Sequence, residues 1–230
     1  MYSFKKGSSI SDFQKFIYQV YSTSDDRIYS IWDILVQQQR FAMRTLKGIR
    51  KRDIKRTKHN LLISFAWLMA ISNRLHIDIE NEVWKRFPAL CSYCGRKPCI
   101  CKKTKPASRA RLKIDNSLKP KTLSGYQKMF GEIYPVASRT LADAGVHLAE
   151  EMGETSEAVH NYLGQHLGKQ FDDIKIEVAD YISCIFSVAN SADFNVSKEL
   201  SEMFYKNCHV CHKVPCICSF STVVKYRNLK

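Results

Sequence analysis

The cysteines constrain this chain more than any other feature. Eight of its nine cysteines fall in two clusters of one spacing, Cys91-x2-Cys94-x4-Cys99-x-Cys101 and Cys208-x2-Cys211-x4-Cys216-x-Cys218, each containing Pro-Cys-Ile-Cys. Four thiolates in so short a loop suit a closed tetrahedral site. Structural zinc is the first reading, with an iron–sulfur centre and disulfides as alternatives. The N-terminal residues from Met1 to Ile10 lack the apolar stretch of a secretion signal, which weakens the disulfide reading and makes a cytoplasmic location the default expectation. A closed four-thiolate site leaves no open coordination position, so these loops are expected to brace the fold rather than catalyse.

The recurrence also marks an internal repeat. Ser11-Asp12-Phe13-Gln14-Lys15-Phe16 aligns with Ser124-Gly125-Tyr126-Gln127-Lys128-Met129, and Tyr21 with Tyr134. The expected organisation is a first copy over 1–103, a basic linker over 104–122, a second copy over 123–218 and a tail over 219–230 without clear pattern. Strand signals are poor and apolar-periodic segments dominate, so an all-α fold of tandem helical bundles with two small metal loops is expected. The most apolar run, Leu61 to Ile71, is too short to cross a bilayer and reads as a core helix; no membrane association is expected.

The second copy carries two acidic clusters, Glu150-Glu151-Met152-Gly153-Glu154 and Glu177-Val178-Ala179-Asp180. Apolar residues recur at helical spacing around both, Val146, Leu148, Ala149, Met152 and Val159 at the first, Ile174, Val178, Tyr181, Ile182 and Ile185 at the second. Glu151 and Glu154 then share one helix face, as do Glu177 and Asp180. A solvated acidic face is the ordinary explanation of one such cluster. Two clusters, each at the edge of an apolar stripe, point to four carboxylates facing one cavity. Carboxylates so close stay ionised only with a cation, and a hard oxygen set suits Mg²⁺ or Mn²⁺.

Glu-Glu-x-x-Glu followed by Glu-x-x-Asp, with 22 residues between Glu154 and Glu177, resembles the motif of the all-α nucleoside triphosphate pyrophosphohydrolases of the MazG type, over about residues 123–207. The resemblance implies that Glu151, Glu154, Glu177 and Asp180 coordinate Mg²⁺ and that Glu150 supports them or acts as base for the attacking water. It implies cleavage of a nucleoside triphosphate to a monophosphate and pyrophosphate. Cysteine loops are not part of that family's motif. In the first copy, Gln37, Gln38 and Phe41 align with Glu150, Glu151 and Glu154, and Asn60 and Ile63 with Glu177 and Asp180. The first half is therefore expected to be a degenerate copy that cannot hold the metal. Because the family resembles obligate dimers, it would serve as an intramolecular partner; two independent modules are the competing arrangement. A homodimer of the whole chain remains compatible with either.

Lys128, Arg139 and Lys175 are candidate phosphate partners. Asn190 is a candidate nucleotide contact, though Asn73 holds the equivalent place in the first half, which favours a helix-ending role equally. His147, one turn before Glu151, is a weaker candidate, and Cys184 reads as a core residue.

Charge divides the chain as well. Residues 1–103 carry 20 Lys and Arg against 8 Asp and Glu, residues 104–122 carry 6 against 1, and residues 123–230 carry 10 against 13. The densest run is Arg44, Lys47, Arg50, Lys51, Arg52, Lys55, Arg56 and Lys58. It fits a solvated surface, a face for nucleic acid or another polyanion, or part of the triphosphate pocket. The rival to an enzyme is thus a basic, metal-braced module that binds nucleic acid or a protein.

Overall fold

The helices begin where the sequence caps them. Ser9, Ser30 and Thr140 each accept a hydrogen bond from the backbone of an aspartate three residues on, and Asp12, Asp33 and Asp143 reach back to the capping residue. The structure, a computed structural model, describes residues 4–226; residues 1–3 of the expected first copy and 227–230 of the expected tail lie outside the described residues. Ten α-helices follow in order: α1 (Ile10–Arg27), α2 (Ile31–Arg50), α3 (Ile54–Arg74), α4 (Ile79–Arg86), α5 (Cys101–Thr104), α6 (Leu123–Ile133), α7 (Leu141–Gln165), α8 (Gly168–Ser191), α9 (Val196–Met203) and α10 (Phe220–Lys225). Among the described residues there is no strand, so the fold is all-α. No helix is long and apolar enough to cross a membrane.

Two helical hairpins, α2 on α3 and α7 on α8, form the centre, and α2 lies against α7. Gly145 permits that approach: a Cβ there would stand 2.7 Å from Ile49 Cδ1. Gln39 Nε2 donates to Ser156 Oγ at 2.7 Å along the same contact. Leu61, Phe65, Leu68, Phe130, Tyr181, Ile182 and Phe186 are fully buried in one core shared by the two halves. At its centre Ser64 Oγ and Tyr181 Oη are 2.7 Å apart.

The short helix of each half reaches the other half: α4 packs on α8, and α9 touches α3. The cysteine loops do the same. Cys99 N–H donates to Ile133 O at 2.8 Å, at the end of α6, and Cys216 N–H donates to Val20 O at 2.7 Å, in α1. One internal network also recurs. Gln14 donates to Ile77 O at 2.6 Å and accepts from Ile79 N–H at 3.2 Å, while Asn73 donates to Gln14 O at 3.1 Å. In the second half Gln127 donates to Phe194 O at 2.7 Å and accepts from Val196 N–H at 2.9 Å, while Asn190 donates to Gln127 O at 3.1 Å.

Gln127→Ala deletes this clamp and leaves the Val196 N–H and the Phe194 carbonyl without partners. The expected loss is about 2–3 kcal/mol of stability, read by denaturant unfolding of the metal-loaded protein. A loss below about 0.5 kcal/mol would show that water replaces the amide at no cost.

Residues 104–122 run along the first half with most side chains exposed, pinned at four points. Ala110 N–H donates to Tyr93 O at 2.8 Å, Trp84 Nε1 to Asn116 Oδ1 at 2.9 Å and Leu123 N–H to Ser8 O at 2.9 Å, and Lys119 lies 3.8 Å from Glu80.

Candidate metal centre

α7 and α8 run antiparallel from a tight turn at His166, so their carboxylates meet in rungs. Oxygen atoms of Glu151, Glu177 and Asp180 lie within 4.8 Å of one another. Glu154 stands at the rim, exposed, and interacts with Glu177 through its side chain. Glu154, Glu177, Glu157, Asp173, Asn161 and Gln170 line an open groove of about 410 Å³ between the two helices.

Glu151 Oε2 and Glu177 Oε2 are buried without a hydrogen-bond partner. Burial pushes the Glu151 carboxyl up to about 8, and Asp180, Glu154 and Glu177 push in the same direction, against Arg86. Burial likewise raises Glu177 to about 7, with Asp180 and Glu154 adding repulsion. Orphaned carboxylate oxygens beside further acids are what a divalent cation relieves, so the donor set fits a hard metal ion.

The sign of the pH dependence follows. A carboxyl raised in the folded state contributes stability that is present below its unfolded value near 4.5 and is lost as pH rises through the folded value. Metal-free protein is therefore expected to melt at progressively lower temperature between about pH 5 and pH 8, with Mg²⁺ reversing the loss most at the upper end. A thermal series across that range, with and without Mg²⁺, checks it; a flat difference between the two curves contradicts it.

Arg86 is the residue that sequence reading missed. It closes α4, in the first half, and reaches across to Asp180, with Nε 2.9 Å from Oδ1 and Nη2 2.5 Å from Oδ2. The two side chains are only 15% and 13% exposed. Burial alone would lower the Arg86 pKa, but Asp180, then Glu177 and Glu151, raise it on balance. Glu157 and Asp173 were also absent from the expected set. The same spacing rule finds them, since Glu157 follows Glu154 by three residues and Asp173 precedes Glu177 by four.

The other expected site residues scatter. Glu150 is exposed and lies outside the close trio, near His147. Arg139 stacks over the Tyr134 ring at 5.2 Å and donates to Ser187 Oγ at 3.3 Å, on α8 beyond Asp180. Lys175 pairs with Asp172 at 2.7 Å and lies over Phe171 at 4.7 Å. Lys128 is exposed on α6. The Asn190 amide is engaged by Gln127, as Asn73 is by Gln14.

At the corresponding place of the first half lies an apolar cavity of about 70 Å³, lined by Phe41, Ile63, Tyr21, Trp67 and the tail residues Val223 and Tyr226. Gln38 and Asn60, which align with Glu151 and Glu177, are buried neutral amides that do not line it. No second carboxylate group of this kind occurs among the described residues.

The two cysteine clusters each bring four sulfurs within 4.8 Å of one another. The Cys91–Cys101 and Cys94–Cys99 sulfurs are 3.8 and 3.9 Å apart, and the Cys208–Cys218, Cys211–Cys216 and Cys208–Cys216 sulfurs 3.9, 3.8 and 3.5 Å. Four sulfurs at about 2.3 Å from a tetrahedral centre would be about 3.8 Å apart, so both clusters suit a metal ion. None of the nine cysteines is in a disulfide. Cys184 is buried on α8. The Tyr134 hydroxyl donates to Cys91 Sγ at 3.7 Å, which joins the first cluster to the half that carries the carboxylates.

No family profile, curated protein or solved structure matches this chain.

Proposed function

We propose that the chain is a Mg²⁺- or Mn²⁺-dependent nucleoside triphosphate pyrophosphohydrolase, with its second half active and its first half a degenerate partner copy of the same bundle. The observation that carries this reading is the trio Glu151, Glu177 and Asp180 within 4.8 Å, two of its oxygens orphaned, with Glu177 also lining a groove of about 410 Å³. Glu151, Glu154, Glu177 and Asp180 would hold the metal, which when bound supplies neutralisation of phosphate charge and a water of lowered pKa. The cysteine clusters would each hold a structural zinc ion.

The chain's own residues have separate tasks in this reading. Glu154, at the exposed edge of the groove, would complete the ligand set from the solvent side. Arg139, held by Tyr134 and Ser187 outside the groove lining, would have to leave those partners to reach a phosphate. Asn161 and Gln170, at the far end of the groove, offer amides to a sugar or base. Asn190 acts through α8, which its bonds to Gln127 hold in register with α6.

Pyrophosphate release from a panel of ribo- and deoxyribonucleoside triphosphates tests this. Turnover by the wild type that falls about a thousandfold in Glu154→Gln supports it. Turnover that survives this substitution removes the groove as the site.

One observation favours a second property, contact with nucleic acid. At the corner between α2 and α3, Arg56 pairs with Asp53 at 3.1 Å and Lys58 with Glu199 at 2.7 Å, whereas Lys47, Arg50, Lys51, Arg52 and Lys55 stand exposed. Such a cluster predicts binding to random RNA or DNA that weakens steeply with salt. Replacing Lys51, Arg52 and Lys55 by Gln in the full chain should flatten that slope; an unchanged slope places any binding elsewhere.

A further inference from the structure

Arg86 faces a conflict that the carboxylates alone do not explain. Its guanidinium engages both oxygens of Asp180 from the opposite half, in a nearly buried pair. A cation gathered by Glu151, Glu177 and Asp180 would share Asp180 with it, because the trio lies within 4.8 Å. Two positive groups at such separation in a partly buried site repel strongly, and an arginine cannot relieve this by losing a proton. Pairing with Arg86 and metal binding at Asp180 therefore oppose each other.

We propose that Arg86 is an exchangeable counter-ion, pairing with Asp180 when no metal is bound and turning to the oxygens of a di- or triphosphate group when a divalent cation takes Asp180. This rests on reading the groove as a metal–triphosphate site, and adds that the first half supplies a substrate-contacting cation to it. The chemistry of the exchange is conservative. A guanidinium fork matches a phosphate as it matches a carboxylate, so one planar group can serve both partners. The root of the side chain is fixed by its neighbour. Phe87, the next residue, is buried with its ring 5.1 Å from Phe130 and 6.5 Å from Tyr134. At the corresponding positions of the two halves, Met203 stands for Arg86 and Ile63 for Asp180, so the charged pair is replaced as a pair where the carboxylates are absent. The arrangement also gives the first half a reason to remain attached. Without α4, Asp180 would lose its only ion pair among the described residues.

The test uses the full, zinc-loaded chain and does not depend on turnover. Mn²⁺ binding is measured by electron paramagnetic resonance in the absence of nucleotide, and inorganic pyrophosphate binding is measured in the presence of saturating Mn²⁺. Arg86→Met should bind Mn²⁺ about tenfold more tightly than the wild type, because Asp180 no longer has a competitor. The same variant should bind Mn²⁺-pyrophosphate about tenfold more weakly, because the phosphate loses its guanidinium. Arg86→Lys, which keeps the charge and preserves the fold should the methionine variant fail, should fall between the two on both measurements. Unchanged or weaker Mn²⁺ binding in both variants overturns the proposal and leaves Arg86 as a strut. Wild-type protein that shows this exchange yet hydrolyses no nucleotide would refute the hydrolase reading while leaving the exchange established.

Discussion

Cys91→Ser is expected to abolish nucleotide turnover, although the sulfur it replaces belongs to a loop outside the carboxylate groove. The route is physical. The first cysteine loop hangs on the second half through Cys99 N–H to Ile133 O at 2.8 Å and through the Tyr134 hydroxyl to Cys91 Sγ at 3.7 Å. The segment before the loop carries Phe87, packed on Phe130 and Tyr134, and Arg86, paired with Asp180. Phe130 in turn stacks on Phe186 of α8 at 5.6 Å. Structural zinc in small loops contributes about 10 kcal/mol or more of apparent folding free energy at neutral pH, which rivals the whole stability of an ordinary domain. Losing the ion should free the loop, unseat α4 and let the α8 carboxylates drift. Metal analysis should show zinc falling from two ions per chain to one, with turnover lost. Cys208→Ser is the control. Its loop docks on Val20 and lines the apolar cavity of the first half, so it should lose one zinc ion and stability but retain a substantial part of the turnover. Equal loss of turnover in the two variants would mean that the loops only hold the whole chain together.

Glu177→Gln should remove turnover by about a thousandfold or more while making the metal-free protein more stable. The carboxyl of Glu177 is raised to about 7 by burial and by Asp180 and Glu154, so above that pH the folded state bears an unfavourable charge. An amide of the same shape removes the charge and keeps a polar group that can donate to Glu154. The gain should grow from about pH 5, where the unfolded carboxyl is ionising while the folded one is still protonated, and level off above about pH 7. Adding Mg²⁺ should reverse the order if Glu177 is a ligand as proposed, since the variant then lacks one. Melting curves at the two pH values, with and without Mg²⁺, provide the four numbers needed. A variant less stable than the wild type at high pH without metal would show that Glu177 is satisfied in some way the structure does not contain.

The acidic faces could be read in the sequence because helical periodicity is local. Once Glu151 and Glu154 share a face, and Glu177 and Asp180 another, a single hairpin brings them together. The cysteine clusters were legible for the same reason, since four ligands within eleven residues need no tertiary information. Arg86 was not legible. It meets Asp180 across 94 positions, and only the packing of α4 on the other half determines that contact. The tail offered no pattern, yet Phe220 to Lys225 form α10, and Tyr226 stacks on His59 at 6.0 Å and lies 6.3 Å from Phe41. Arg44, read in the sequence as part of a basic run, donates to the Tyr226 carbonyl at 3.0 Å. Its role depends on a segment with no periodicity of its own. Asn190 shows the opposite case: its position suggested a ligand contact, and the structure engages it with Gln127 in the manner of Asn73 with Gln14.

The most direct test of the central claim is to identify the products that the full, zinc-loaded chain makes from nucleoside triphosphates with Mg²⁺, by phosphorus nuclear magnetic resonance. The account predicts a nucleoside monophosphate and intact pyrophosphate, with no diphosphate formed on the way. A diphosphate with inorganic phosphate, or no product from any nucleotide in the panel, would contradict it.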